Sequence, residues 1–559
     1  MTLIIDAVEQ AVVNLFGVKP NSIDLTRPDS KFGDFATNIA MQIAKEIGQN
    51  PKEIALKITN YINNQNYEWL RLIDIAGPGF INIYISDNYI IKSLTETPER
   101  VYQDKIIVAE YSDPNAFKAL HAGHLYTTLV GDSITRILET VGAKIIRLNY
   151  GGDVGLHAAK AMWGIISNLG GEHPGKLNDI KPILRPVWVS ERYTEGNTAY
   201  ESSDNIKQEI NEINQRIYDI HTQNDTQSDF AKIYWACRDW SYDGFKKLYQ
   251  DLQVKPFDEF IPESKVTPLG VEIVNKGLKQ GVFEQSDGAV VYSEQKSGLH
   301  TRVFITSKGL PVYEAKELGL AIYKWKKYHF EKSLIITAND IAEYMKVLLS
   351  AASNFYPQAT ERTTHITHGM IKFAGGQKMS SRTGNVLMAK DILESAIRAN
   401  IESSGKDNKE VAIGAIKYTF LKQRIGDNIS FDPKESISLN GNSGPYLQYA
   451  HARARNILVK VARIANNLPD DIVLDEQERL LAVKLGEYKD AIERSAQELM
   501  PHYICTYLYD LAQTFNRFYE NSKVVGSERE QIRAYLVNCY ANTLKNGLNL
   551  LGISAPNKM

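Results

Sequence analysis

His121-Ala122-Gly123-His124 sits between two stretches of different periodicity, and that placement decides the fold. Upstream, Ile106-Ile107-Val108-Ala109 is a short continuous apolar run of the kind that forms a buried strand. Downstream, Leu125, Leu129, Ile134, Ile137, Leu138 and Val141 recur at helical spacing up to Gly142, and Ile145, Ile146 and Leu148 open a second strand. Strand, helix and strand in that order predict a parallel βαβ unit. The HAGH segment then falls outside the carboxyl edge of the sheet, where open α/β folds bind nucleotides. A second motif, Lys378-Met379-Ser380-Ser381-Arg382, follows much later between Gly375-Gly376 and Gly384. Either motif alone would carry little weight; in this order and these settings they support one another.

The residue types suit phosphate chemistry. Free N–H groups and the positive dipole end of a helix attract anions, and Gly123 lets a flat base come against the backbone. His121 and His124 can donate hydrogen bonds to phosphate oxygens as charge builds on them. Lys378, in its glycine-flanked loop, supplies a mobile cation that could close over leaving pyrophosphate. The pair fits adenylation, in which a carboxylate attacks the α-phosphorus of ATP and the catalyst positions groups and neutralises charge. The plain alternatives are a hydrogen-bonded histidine pair at a helix start and a solvated surface lysine.

A chain of 559 residues has room for about three or four domains, and 43% apolar with 23% charged residues is ordinary for a soluble globular protein. Cys237, Cys505 and Cys539 are far apart and form no CxxC, so neither protein-bound zinc nor a disulfide framework is expected, and a reducing compartment fits. No basic segment leads into an apolar run at the N-terminus, and no stretch has bilayer-spanning length. The expectation is a cytoplasmic protein without a membrane partner. A net charge of −2 does not point to nucleic acid. Local asymmetry does: residues 441–468 carry Arg453, Arg455, Lys460 and Arg463 with no acid, and residues 532–559 carry Arg533, Lys545 and Lys558 with none. Basic stretches mixed with tyrosines fit an RNA-facing surface, or else ordinary variation on solvated helices.

The first hundred or so residues read as a separate α/β module. Ile4, Val8, Val12, Leu15 and Phe16 mark one helix face; Ile39, Ala40, Ile43, Ala44 and Ile47 mark another; Pro51 opens a third through Ile54, Ile58 and Tyr61. Ile73 and Ile75, the Gly77-Pro78-Gly79 turn, and Ile81, Ile83 and Ile85 predict two alternating strands. Residues 95–100 read as a linker. The nucleotide domain is interrupted between about 160 and 300 by a polar insertion, whose Asn-, Asp- and Gln-rich stretch 202–230 is expected to be a helical, solvent-exposed arm. Strands return at 289–292, 302–306 and 334–337, a helix is expected over 315–327, and from about 391 the chain reads as helical almost to its end.

Several separate stretches resemble the arginyl-tRNA synthetase family, a branch of the class I aminoacyl-tRNA synthetases, across essentially the whole chain. Lys31-Phe32-Gly33-Asp34-Phe35 with Asn38, and residues 76–82 (AGPGFIN), are similar to the family's N-terminal module, which contacts the tRNA elbow. Residues 110–124 (EYSDPNAFKALHAGH) resemble the segment that ends in its HIGH motif. Residues 444–453 (GPYLQYAHAR) resemble the opening of its anticodon-binding domain, and Lys545 to Pro556 its closing stretch.

The resemblance implies a multidomain α/β protein: an N-terminal α/β module (1–98), a Rossmann-like parallel-sheet catalytic domain of the HxGH/KMSK type (99–375), the KMSSR loop with a connecting helical region (376–435), and an all-α anticodon-binding domain (436–559). It implies ligation of L-arginine to tRNA(Arg) with ATP and Mg²⁺, tRNA being needed for activation, by a monomer. ATP would be held by His121, Gly123, His124, Lys118, Lys378, Met379, Ser380 and Ser381, with His121, His124, Lys118 and Lys378 catalytic. Arginine would be held by Ser112 and Asn115 at its carboxylate and amino ends, with Glu110 in support, and by Tyr313 and Glu317 at its side chain. Phe32, Asn38, Tyr446, Gln448, Tyr449, Arg453 and Arg455 would face tRNA.

Guanidinium selection needs a buried anion before a planar five-donor group. Tyr313 and Glu317 are one helical turn apart and share a face. Glu317 stands where the family has aspartate, one methylene shorter. Tyr150 and Val154 replace a histidine and a tryptophan around Gly152-Asp153, leaving Asp153 as either a site residue or part of a turn. Ala338-Asn339-Asp340-Ile341 lies where a glutamine is expected. Two other enzyme readings keep the adenylation chemistry: a cysteinyl- or methionyl-type synthetase, which often carries zinc ligands, and a smaller HxGH ligase such as pantothenate synthetase, which does not need the long basic helical C-terminus. A synthetase-derived RNA-binding protein would have no reason to retain both motifs.

Overall fold

Five parallel strands form the central sheet, in the order Thr363–His368, Lys332–Ala338, Ile106–Glu110, Lys144–Gly151, Glu259–Pro262. Chain order therefore runs outward in both directions from Ile106–Glu110, the arrangement of a Rossmann half, and reverses between that strand and Lys332–Ala338. A crevice at the carboxyl ends of these two strands is where such a sheet binds ligands. The computed structural model describes residues 2–293, 298–374, 387–461, 463–465, 468–469 and 471–559. Lys378, Met379, Ser380 and Ser381, and so the whole second motif, lie outside the described residues.

The helix Ala122–Thr140 begins within HAGH and is buried along most of its length. Its sheet-facing side carries Thr127, bonded to His368 at the end of a sheet strand (2.7 Å), Thr128, bonded to Ser112 (2.8 Å), and Gly131, where a Cβ would lie 2.2 Å from the Tyr111 ring. Its other sides are covered by Lys409–Leu421, Tyr488–Glu498 and Glu530–Leu550 of the helical region. The chain's closing segment is tied to it: Ser133 Oγ donates to Leu550 O (3.0 Å), and buried Lys417 Nζ donates to Gly552 O (2.6 Å).

The expectation of a solvent-exposed arm over 202–230 is corrected by the structure. Asp204–Thr222 buries Ile210, Ile213, Ile217 and Ile220 in one stripe, and Phe230 and Tyr234 of Asp229–Asp251 join the same apolar cluster, with Leu156–Leu169 as its base. The isoleucines recur at three- and four-residue steps, so the polar composition covers only the outer face. From Ala389 onward the described residues form helices joined by loops, with one short strand among them, Ile429–Phe431, which pairs with Ile371–Phe373.

In the N-terminal module, helices Thr2–Phe16, Ile39–Ile47 and Pro51–Asn63 accompany a four-stranded antiparallel sheet. Gly33 has φ +104°, and a Cβ there would lie 2.9 Å from Ile83 O, so the turn before Phe35 closes only with glycine. Asp34 Oδ2 accepts from the Ile85 amide (2.6 Å) and from Arg479 Nη2 of the helical region (2.5 Å). Arg479 also reaches Asp87, so one guanidinium joins the module to the helices.

Candidate active site

His121 is the N-cap of the HAGH helix. Its Nδ1 accepts the amides of Gly123 (3.1 Å) and His124 (3.4 Å), while His124 Nδ1 accepts the amide of His121 (3.4 Å). The rings stack with centroids 3.8 Å apart. With Nδ1 an acceptor on both rings, the neutral imidazoles carry their hydrogen on Nε2. Burial, then the nearby Lys118 ammonium, lowers the His121 pKa; burial, then His121, holds His124 well below the ordinary range. At neutral pH the pair presents two neutral N–H donors, on the nitrogens opposite those that serve the helix start. Gly123 lines the cavity, and a Cβ there would come within 2.9 Å of the His121 ring. The glycine therefore serves the capping ring as well as any ligand.

Between Glu110 and His121 the backbone enters the left-handed region at Ser112 (φ +79°), Asp113 (+46°) and Phe117 (+67°), a costly conformation for residues with a Cβ. The Gly151-Gly152 turn is what this loop packs on. Asn115 Oδ1 accepts the Gly152 amide (3.1 Å), Ala116 donates to Gly152 O (2.8 Å), and Asp113 Oδ1 accepts the Tyr150 amide (2.8 Å). A Cβ on Gly152 would meet Asn115 Oδ1 at 2.3 Å. Asn115 thus keeps its carboxamide nitrogen for a ligand. Ser112 lines the cavity, but its hydroxyl is already engaged by Thr128 (2.8 Å) and Tyr249 (2.7 Å). Asp153 is not a site residue: fully buried, it accepts from the amide and hydroxyl of Ser264 (2.9 and 2.7 Å) and binds Arg238.

A cavity of about 550 Å³ opens at the crevice and brings His121, Gly123, His124, Glu110, Ser112, Asn115, Tyr313 and Glu317 to one space. Glu110, Asp113, Glu263, Glu314, Glu317 and Asp340 line it, against Arg302 as the cation of the lining. Two of the acids are paired from beneath: Glu110 Oε2 with Lys324 Nζ (2.5 Å) and Glu263 Oε2 with Lys316 Nζ (2.7 Å). Asp113 and Glu317 have no such partner among the described residues. Burial, then the Glu110 charge, pushes both well above the ordinary carboxylate range. Among the described residues, the lining carries more acid than base, and Arg302 itself lies 3.8 Å from Glu314. Tyr150 and Tyr344 add two buried hydroxyls without a partner among the described residues. Tyr313, 48% exposed, stands at the rim with Glu317 one turn further in, rather than in the core.

The Asp113, Glu263, Lys316 and Lys324 contributions were not legible beforehand. Lys324 had a signal: 313, 317 and 324 fall at i, i+4 and i+11 of one helix, a single face. Glu263 had none, being brought in by the edge strand. Asp340 and Ile341 line the cavity where the glutamine was expected.

Matches to known proteins extend over the whole chain. The profile described as tRNA synthetases class I (R), catalytic domain, matches residues 88–432. The chain belongs to the class I arginyl-tRNA synthetase family. The arginyl-tRNA synthetase N-terminal domain matches residues 2–85, and the DALR anticodon binding domain matches 447–559. The arginine–tRNA ligase of Actinobacillus succinogenes is 30% identical over 95% of this chain and 94% of its own. That of Porphyromonas gingivalis is 28% identical over 98% of each. Thermus thermophilus arginyl-tRNA synthetase has the same fold, with a TM-score of 0.78 at 22% identity over 100% of both chains.

Of the residues that the family resemblance assigns to tRNA, Gln448 is corrected. It is fully buried, and its Nε2 donates to Ser554 O (2.9 Å) and Glu410 O (3.3 Å), which ties the closing segment to the helical core. The adjacent Tyr449 is 45% exposed. Arg453 lies over the Tyr519 ring at 4.4 Å, Arg455 is half-buried, and Tyr446 accepts from Asn516 (2.8 Å). Phe32 is 46% exposed, and Asn38 precedes the helix Ile39–Ile47 with a buried Oδ1 that has no partner among the described residues. Lys118 is held to one side of the cavity, over Tyr193. No helix among the described residues is long and apolar enough to cross a membrane.

Proposed function

We propose that this chain is an arginine–tRNA ligase: it activates L-arginine with ATP to arginyl-adenylate and pyrophosphate, then passes the arginyl group to the 3′ end of tRNA(Arg). The carrying observation is the buried, cation-deficient pocket around Asp113 and Glu317, placed beside two neutral histidine donors. A guanidinium supplies the missing charge and the planar donors that such a pocket requires. With the side chain anchored there, the substrate carboxylate is directed toward the HAGH helix start, where the α-phosphate would lie. His121 and His124 donate from Nε2 to phosphate oxygens as charge develops on them, and no side chain need form a covalent intermediate. Lys118 supports the phosphates from the near side, and Lys378 supplies the second cation.

The resemblance further supports Mg²⁺ accompanying ATP, a requirement for tRNA during activation, a monomer and a cytoplasmic setting. Residues 1–98 and 436–559 would be the tRNA-facing parts, with Phe32, Asn38, Tyr446, Tyr449, Arg453 and Arg455 at the contact. ATP–pyrophosphate exchange with each amino acid in turn, with and without tRNA, tests this reading. Exchange with arginine alone, and only with tRNA present, is expected. Exchange supported by another amino acid, or by none, would sink it.

A further inference from the structure

The loop that carries the candidate site is held from outside by the insertion. The amide of Ala119 donates to Ser190 Oγ (3.0 Å), the amide of Phe117 donates to Ser241 Oγ (3.0 Å), and the Phe117 ring packs on Tyr234 at 5.5 Å. Lys118 Nζ stands 4.5 Å from the centroid of the Tyr193 ring. Ser190 and Tyr193 are three positions apart on the helix Arg185–Ser202, so they share a face. That helix is itself seated by backbone contact on Leu156–Leu169. A Cβ on Gly164 would lie 2.3 Å from Arg192 O, and one on Gly196 would lie 1.8 Å from Lys160 O. Two glycines thus lock the helix that presents Tyr193, and any displacement of it would be felt at the loop.

We propose that Tyr193 is the positioning residue for Lys118, fixing the ammonium beside His121 so that it meets the phosphates of ATP without first being gathered from solvent. The proposal rests on reading the site as one that activates an amino acid with ATP. An aromatic face suits this task better than a carboxylate would. It attracts a cation through its quadrupole yet carries no charge of its own, so the ammonium keeps its full positive charge and donors for an incoming phosphate. Lys118 has no carboxylate within ion-pair distance among the described residues. The acids nearest in sequence to Tyr193, Glu191 and Glu195, turn instead to Arg192 (3.5 and 2.6 Å). The Lys118 charge is already felt at the HAGH pair, where it helps keep both histidines neutral. On this view the insertion's first helix belongs to the catalytic apparatus.

A double-mutant cycle on the full-length enzyme tests the assignment. In tRNA-supported, arginine-dependent ATP–pyrophosphate exchange, Tyr193→Phe should stay within about twofold of wild type, because the ring face remains. Tyr193→Leu should lower kcat/KM for ATP by roughly 3- to 10-fold and leave the arginine KM unchanged. In a Lys118→Ala background, Tyr193→Leu should cost nothing more. Tyr193→Gln gives a second removal of the ring should the leucine variant melt early. Equal losses in the two backgrounds, or no loss in the wild type, would overturn the proposal. The same cycle on equilibrium ATP binding by calorimetry needs no amino acid. If the wild type activates something other than arginine, the substrate reading fails while the Tyr193–Lys118 coupling is still decided; a wild type that binds no ATP overturns both.

Discussion

Lys324 Nζ lies 2.5 Å from Glu110 Oε2, with both side chains only 3% exposed, so the last turns of one helix neutralise the carboxyl end of the central strand beneath the pocket. The pair reduces the acid excess of the site without touching the cavity's open side. Removing one partner would strand a buried charge. Lys324→Met is therefore expected to destabilise the catalytic domain by about 3–5 kcal/mol, measured by urea or thermal unfolding. Glu110→Gln added to Lys324→Met should recover much of that loss. If the single variant melts like wild type, the pair does not carry this weight.

Asp113 and Glu317 are in the opposite position, with raised proton affinity and no cation paired to either among the described residues. A carboxylate whose pKa is raised by folding lends stability below its unfolded value, about 4. That stability is lost as pH climbs through the higher folded value. The ligand-free protein should accordingly lose stability from these groups as pH rises, and bound arginine should restore it. The gain in Tm on adding L-arginine is expected to grow as pH rises above the ordinary carboxylate range. Glu317→Gln should flatten that trend and raise the arginine KM by roughly 10- to 100-fold, the weight of a hydrogen bond to a charged group. A pH-independent gain, the same in the variant, would take Glu317 out of the binding site.

The parallel sheet and the position of HAGH were legible because both follow from local periodicity: a short apolar run, a long 3.6-residue stripe and a second run leave few arrangements open. Tyr313 and Glu317 were named from the family resemblance, and the helical turn between them added only that they share a face. What could not be read is what depends on partners distant in sequence. Glu110 finds Lys324, Asp153 finds Ser264 and Gln448 finds Ser554 only once the sheet and helices have closed. Gln448 shows the hazard plainly. It lies in a polar, tyrosine-rich stretch that reads as an RNA surface, yet helical spacing turns it inward while its neighbour Tyr449 faces out. The stretch 202–230 misled in the same way, since polar composition hid an isoleucine stripe.

Tyr150 and Tyr344 separate folding from binding. Their hydroxyls are buried at the pocket and have no hydrogen-bond partner among the described residues. Deleting an unsatisfied hydroxyl removes a desolvation cost and no hydrogen bond, so Tyr150→Phe and Tyr344→Phe should leave the stability of the ligand-free enzyme within about 0.5 kcal/mol or raise it. If these oxygens accept guanidinium N–H groups, each variant should raise the arginine KM severalfold and leave the ATP KM alone. A drop in stability with unchanged arginine KM would show that the hydroxyls serve the fold.

On the proposed function His121 has two jobs on two nitrogens, and substitution can divide them. Its Nδ1 caps the helix by accepting from Gly123 and His124, while Nε2 is the donor left for phosphate. Asparagine is a good N-cap whose side-chain oxygen can accept the same amides. His121→Asn is therefore expected to keep thermal stability close to wild type, while His121→Ala, which has no acceptor, should lose about 1 kcal/mol. Both lack a donor at the Nε2 position, so both should lower the rate of ATP–pyrophosphate exchange by roughly 10²- to 10³-fold, the usual cost of one preorganised donor. Exchange restored by asparagine along with stability would mean that His121 acts only by starting its helix, and the phosphate role would then fall to His124 alone.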